Sequence, residues 1–182
     1  MAVKAMRCRL EPHRNTPGRL ITGMEVEITR AMSGKLELVY HATGDIRGVR
    51  LPQLVEPERA DELWRNTCFE LFVKVPGSHS YCEFNFSPSS RWAAYGFDDT
   101  RQGMRNLESV APSMALQVNE EDLILTVAVD PVHPGPLKLA VSVVLEEMEG
   151  AMSYWALTHP GKRPDFHHPG GFVLDLPEPE RT

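Results

Sequence analysis

Two glutamates, Glu70 and Glu83, stand in neighbouring alternating stretches, with Lys74, Asn85, Trp64, Trp92 and Tyr95 close by in the chain. Carboxylates and an amide mixed with large rings suit a sugar platform: rings stack on the apolar faces of a pyranose while short polar groups take its hydroxyls. The same two carboxylates would also serve as a general acid and base if their environments drove their pKa values apart. On an open sheet face they would be well hydrated, with little reason for a raised pKa, so the expectation is a binding surface and not a catalyst. No nucleophile elbow, glycine-rich phosphate loop or HExxH helix accompanies them.

The histidines are densest at His159, His167 and His168, with Asp165 among them. Adjacent residues of an extended chain point to opposite sides, so His167 and His168 do not present two imidazoles together, and the stretch is expected to be a polar loop without a metal. Cys8, Cys68 and Cys82 are an odd set with no CxxC spacing, which reads as free buried thiols. A Cys68–Cys82 bridge stays open, because both lie beside one hairpin.

The elements that must position these groups are strands. Met6, Cys8 and Leu10 alternate with Arg7 and Arg9; Met24, Val26 and Ile28 with Glu25 and Glu27; Leu36, Leu38 and Tyr40 with Lys35 and Glu37. Each set puts one strand face on a core and the other in water. Further strands are expected at 69–75, 81–87, 91–97, 114–118, 123–129, 137–145, 152–157 and 172–176. Turn chemistry separates them at Ser33-Gly34, Pro76-Gly77, Asn119, Pro134-Gly135-Pro136 and Pro169-Gly170-Gly171. At least ten short strands with little helix (one short turn at 57–63) indicate an all-β, antiparallel two-sheet β-sandwich of jelly-roll or immunoglobulin-like type.

In the central hairpin Phe69, Leu71 and Val73 share a face with Cys82, Phe84 and Phe86 only if paired residue numbers sum to an odd value. One such register sets Lys74 opposite Glu83 and Phe72 opposite Asn85. Its neighbour sets Glu70 opposite Asn85. The charge match favours the first.

The chain has 182 residues, 19 basic and 25 acidic side chains and a net charge of −6. It has no basic block that could follow a phosphate backbone, which argues against a nucleic-acid partner. No apolar run reaches membrane-spanning length, and Lys4, Arg7 and Arg9 interrupt what would be a signal-peptide core, so a cytoplasmic protein with no membrane partner is expected. Residues 1–176 read as one domain and 177–182 as a disordered tail.

Three stretches carry a family resemblance: Arg59 to Phe72 with Trp64, Glu70 and Phe72; Tyr81-Cys-Glu83-Phe-Asn85-Phe-Ser87-Pro88; and Arg91-Trp92-Ala-Ala-Tyr95. Together they resemble the bacterial DOMON-like domain proteins, which are related to family 9 carbohydrate-binding modules. Ser90 stands where that pattern commonly has Gly, and the stretches 101–105 and 159–167 are similar to the bacterial subgroup as well. The resemblance implies a ligand-binding sandwich. Family 9 modules grip a sugar end between two tryptophans with Glu, Asn and Lys nearby, which points here to Trp64, Trp92 and Trp155 with Glu70, Glu83 and Asn85. Lys74 or Lys162 would supply the cation, with Tyr95 and His159 alongside.

The leading expectation is therefore a non-catalytic domain binding a small molecule of saccharide type, without a cofactor. DOMON relatives also include b-type haem modules, for which Met104 or Met152 with His159 or His167 would be the axial pair. Met is also ordinary core filler, and no CxxCH motif attaches a haem. A third reading is a scaffold domain that meets a protein through its aromatic surface.

Overall fold

The computed structural model describes residues 5–179. Thirteen strands follow in chain order: Met6–Arg9 (β1), Glu11–Pro12 (β2), Ile21–Arg30 (β3), Leu36–Gly44 (β4), Cys68–Lys74 (β5), Tyr81–Phe86 (β6), Trp92–Phe97 (β7), Arg105–Asn106 (β8), Ser113–Val118 (β9), Asp122–Val129 (β10), Leu137–Glu146 (β11), Met152–Ala156 (β12) and Leu174–Leu176 (β13). They form two antiparallel sheets, one of five strands in the order β1-β3-β4-β10-β9 and one of eight in the order β2-β12-β11-β5-β6-β7-β8, with β13 on the far end of β11. The protein is an all-β sandwich.

The five-stranded sheet obeys the alternation in the sequence. Met24, Val26 and Ile28 of β3 and Leu123, Leu125 and Val127 of β10 are buried, while the residues between them reach solvent. Their partners across the core are Phe69, Leu71 and Val73 of β5, Phe84 and Phe86 of β6, and Val141 and Val143 of β11. Strands β6 and β7 are buried at every position, and β5 at all but Lys74. A sheet buried on both faces needs a second cover, and two stretches without strands supply it: residues 57–65 and 157–172.

The central hairpin takes the second of the two expected registers. Glu70 pairs with Asn85, Phe72 with Glu83 and Val73 with Cys82. A single ion pair such as Lys74–Glu83 is too small a contribution to fix a register. The observed register sets Phe69 opposite Phe86 and Leu71 opposite Phe84 on the inner face. Cys68 and Cys82 fall on opposite faces of the sheet, and all three thiols are free.

Two other expectations change. The short turn lies at Leu63–Arg65, later than the 57–63 stretch, after Glu62 adopts a left-handed φ of 60°. The tail after Leu176 is tied down where it begins: the buried Arg30 guanidinium donates to Pro177 O at 2.9 Å and to carbonyls of His133, Pro134 and Gly135. Residues 180–182 of that tail lie outside the described residues. Ser90 has a φ of 76°, which accounts for the preference for Gly at its position in the pattern it resembles.

Candidate functional site

The outer face of the eight-stranded sheet holds the polar residues singled out from the sequence, and pleating decides which ones. Ser142, Glu70, Asn85 and Ala93 form one row across β11, β5, β6 and β7; Ala140, Phe72, Glu83 and Tyr95 form the next. Between this face and the covering stretches lies a pocket of about 330 Å³. Glu70 and Glu83 form its floor. Trp64, Tyr154, Phe166 and Phe97 supply rings, and Arg101, Met104, Val144, Pro164 and His167 complete the wall.

Residues 57–65 deliver Trp64. They lie along β7, where Trp92 N donates to Glu58 O at 3.1 Å and Ala60 N to Trp92 O at 2.9 Å. Arg59 stacks over Tyr95 at 5.3 Å and bonds Asn106 at 2.7 Å, while the Tyr95 hydroxyl donates to Asp61 at 2.7 Å. The Leu63–Arg65 turn then sets the half-buried Trp64 edge-on to Tyr95, with ring centroids 6.0 Å apart.

Residues 157–172 deliver Phe166 and His167. Arg101 donates to Asp165 at 2.8 Å, and the same carboxylate oxygen accepts from His167 N at 3.2 Å. Phe166 tilts against Tyr154 at 6.0 Å, and His168 turns away to accept from Gly170 N at the Pro169–Gly171 turn. The His167 ring enters among Phe72, Tyr81 and Phe97. Arg101 N donates to the Tyr81 hydroxyl oxygen at 3.2 Å, and that hydroxyl is hydrogen-bonded to His167 Nδ1 at 2.7 Å. His167 Nε2 lies 3.6 Å from Glu83 Oε2.

The carboxyls are not the hydrated pair expected from the sequence. Glu70 is 2% and Glu83 4% exposed, because the two covering stretches shut water from the face. Burial, and then repulsion from Glu83, push the Glu70 pKa to about 8. Burial pushes Glu83 to about 7 against the opposing hydrogen bond from Asn85 and the charge of Arg101. Burial, with Arg101 adding to it, lowers His167 to about 4, so the imidazole is neutral at ordinary pH. Burial tends to raise Asp165, but the hydrogen bond and charge of Arg101 outweigh it and hold this carboxyl below its usual range. Glu70 Oε2 accepts from Ser142 Oγ at 2.9 Å and Glu83 Oε1 from Asn85 Nδ2 at 2.9 Å. Asn85 Oδ1 is buried with no donor among the described residues.

Of the ten residues expected at the site, Trp64, Glu70 and Glu83 line the pocket, and Asn85 and Tyr95 support it from the same sheet face. Trp92 does not belong there: it pairs with Phe86 and packs into the main core. Trp92 and Tyr95 are three residues apart in one strand, so pleating sends them to opposite faces. Trp155 is likewise in the main core at 3% exposure, its indole N donating to Ser153, whereas its neighbour Tyr154 faces the pocket. Of the three tryptophans, Trp64 alone lines the pocket. Lys74 shares the face but lies beyond the pocket, its ammonium 4.7 Å over the Phe172 ring. Lys162 is exposed and contributes a backbone carbonyl to Asn15. His159 turns to Glu11 O at 2.8 Å and packs edge-on to His13, away from His167.

Arg101, Tyr154, Phe166 and His167 are four of the pocket residues that sequence reasoning did not assign to the ligand. The strand parity of Tyr154 against Trp155 was the available signal for one of them. The others come from loops, where no periodicity reports direction. Of the residues expected to hold a haem, Met104 and His167 share the pocket wall, with His167 Nδ1 engaged by Tyr81.

The fold has a solved counterpart. A structure described as that of a "putative carbohydrate-binding protein" from Bacteroides uniformis superposes with a TM-score of 0.65 at 17% sequence identity, covering 93% of this chain and 84% of the other. No protein-family model and no curated protein matches the chain. At this identity the likeness establishes the sandwich architecture alone.

Proposed function

We propose that the protein is a non-catalytic binding sandwich whose ligand is the end of a saccharide, held between the outer face of the eight-stranded sheet and residues 157–172. The observation that carries this reading is the pocket itself: two buried carboxyls on its floor, each with a second oxygen unclaimed, beneath the rings of Trp64, Tyr154 and Phe166. Rings and carboxyls in one enclosed space match the two faces of a sugar, apolar C–H surface and hydroxyl rim. A volume of about 330 Å³ sits at the small end of ligand pockets, which favours one sugar ring or two over a long chain. The solved counterpart and the DOMON-like resemblance support the same class of ligand at the level of the fold.

The three tryptophans make the test direct. Trp92 and Trp155 are in the core, so a saccharide that enters the pocket changes the emission of Trp64 alone. Titration with a panel of mono- and disaccharides is expected to shift or quench fluorescence in the native protein and to do nothing in a Trp64→Phe variant. Absence of any response, together with no rise in melting temperature with any sugar, overturns the reading.

A further inference from the structure

The pocket floor holds oxygen atoms that no donor among the described residues reaches. Glu70 Oε1 and Glu83 Oε2 receive no hydrogen bond from any described residue, His167 Nε2 being 3.6 Å from the latter, and Asn85 Oδ1 is orphaned beside them. The charges are equally one-sided. No Lys or Arg lies within 4.0 Å of either glutamate among the described residues. Arg101, the guanidinium on the wall, is matched by Asp165 at 2.8 Å, and Lys74 is occupied by Phe172. The remaining titratable groups near the floor are held without charge: the imidazole of His167, the phenols of Tyr81 and Tyr95, and the thiol of Cys68 behind Glu70.

A neutral polyol would meet this floor with hydroxyls and leave both carboxyls in their uncharged form. An ammonium group supplies three donors and no acceptor, and its charge is the one the cage lacks. Rings at cation–π distance add attraction of about 0.5–2 kcal/mol in a partly desolvated site. We propose that the ligand of this pocket carries a protonated amine, making it an amino sugar with a free amino group, whose ammonium sits between Glu70 and Glu83 beneath Trp64 and Tyr154. The inference rests on the saccharide reading for the sugar ring and on the charge census for the amine. In the free protein burial holds both carboxyls towards their protonated form; as the ammonium docks, a carboxyl O–H breaks, its proton passes to buffer, and the resulting carboxylate pairs with the cation.

Calorimetric titration at neutral pH with glucosamine, glucose, N-acetylglucosamine and cyclohexylamine tests both parts in the unmodified protein. The expected result is affinity for glucosamine at least about tenfold above glucose and N-acetylglucosamine, a difference of about 1.4 kcal/mol. The heat for glucosamine should change with the ionisation enthalpy of the buffer in the sense of proton release. Glucose binding as tightly as glucosamine, or glucosamine binding with no proton release, overturns the amine and leaves the saccharide reading intact. Cyclohexylamine binding as well as glucosamine while neutral sugars fail keeps the ammonium and overturns the sugar. No heat with any of the four overturns both. As a check on the residues, Glu83→Gln, which preserves shape, should erase the glucosamine preference with thermal unfolding still cooperative; preference retained in that variant removes Glu83 from the assignment.

Discussion

The two faces of the eight-stranded sheet are built from alternate residues of the same strands, yet they solve different problems. On the inner face Phe69, Leu71, Phe84, Phe86 and Trp92 meet the apolar inner face of the other sheet, and packing alone satisfies them. On the outer face Glu70, Phe72, Glu83, Asn85 and Tyr95 are equally buried, but beneath two irregular stretches that must carry their own hydrogen bonds. A sheet covering a sheet leaves no space, because both surfaces are pleated and periodic. A loop covering a sheet fits less regularly, and the misfit is the pocket. Burial of the outer face therefore brings ionisable groups into low dielectric without ion-pair partners, and they shift towards their uncharged forms.

Substitution on each face sharpens this contrast. Phe84→Ala on the inner face is expected to cost about 3–5 kcal/mol in urea unfolding, since it opens a cavity between two sheets that cannot close up. A loss below about 1 kcal/mol would mean that the inner face is no tighter than the outer. Tyr81→Phe on the outer face removes the hydroxyl joining Arg101 N to His167 Nδ1 and leaves a buried ring nitrogen unpaired, for an expected loss of about 1–3 kcal/mol by the same measurement. A neutral result would show that the covering loop is not held by this chain.

Of the two faces of this sheet, the outer one carries the pH dependence near neutrality. Glu70 and Glu83 are raised in the folded protein from 4.5 to about 8 and about 7, so the fold keeps protons that the unfolded chain releases. That contribution is complete below about pH 4.5 and is lost as pH climbs through about 7 and then about 8. His167, depressed from 6.5 to about 4, acts in the opposite sense: its contribution is present above 6.5 and is lost as pH falls towards 4. Above pH 6.5 the carboxyls act alone, and stability should fall by about 1.4 kcal/mol per pH unit for each proton retained by the fold. Glu70→Gln should flatten this decline in melting temperature measured across pH 6.5–8. An unchanged slope would place the titrating groups elsewhere. Smallest of all, Lys162→Ala should alter stability by no more than about 0.5 kcal/mol and leave ligand titration unchanged, because only its backbone is engaged.

Much of this architecture could be read from residue alternation. Period-2 patterning locates every long strand and assigns Glu70, Phe72, Glu83 and Asn85 to one face, since side chains of a strand alternate whatever the strand packs against. The same rule, applied to the three-residue spacing of Trp92 and Tyr95 or to adjacent Tyr154 and Trp155, would have withdrawn Trp92 and Trp155 from the site. Which of two parity-allowed registers the hairpin takes is beyond that rule, because both set the apolar residues of one face together. Sequence alone thus determined the sandwich and the composition of its two kinds of face, because both follow from local backbone geometry. Only the tertiary structure determined that the carboxyl face is dry, that Arg101, Phe166 and His167 close over it, and that no Lys or Arg among the described residues pairs directly with its carboxyls. Those facts depend on loop segments far apart in the chain whose directions no local periodicity encodes.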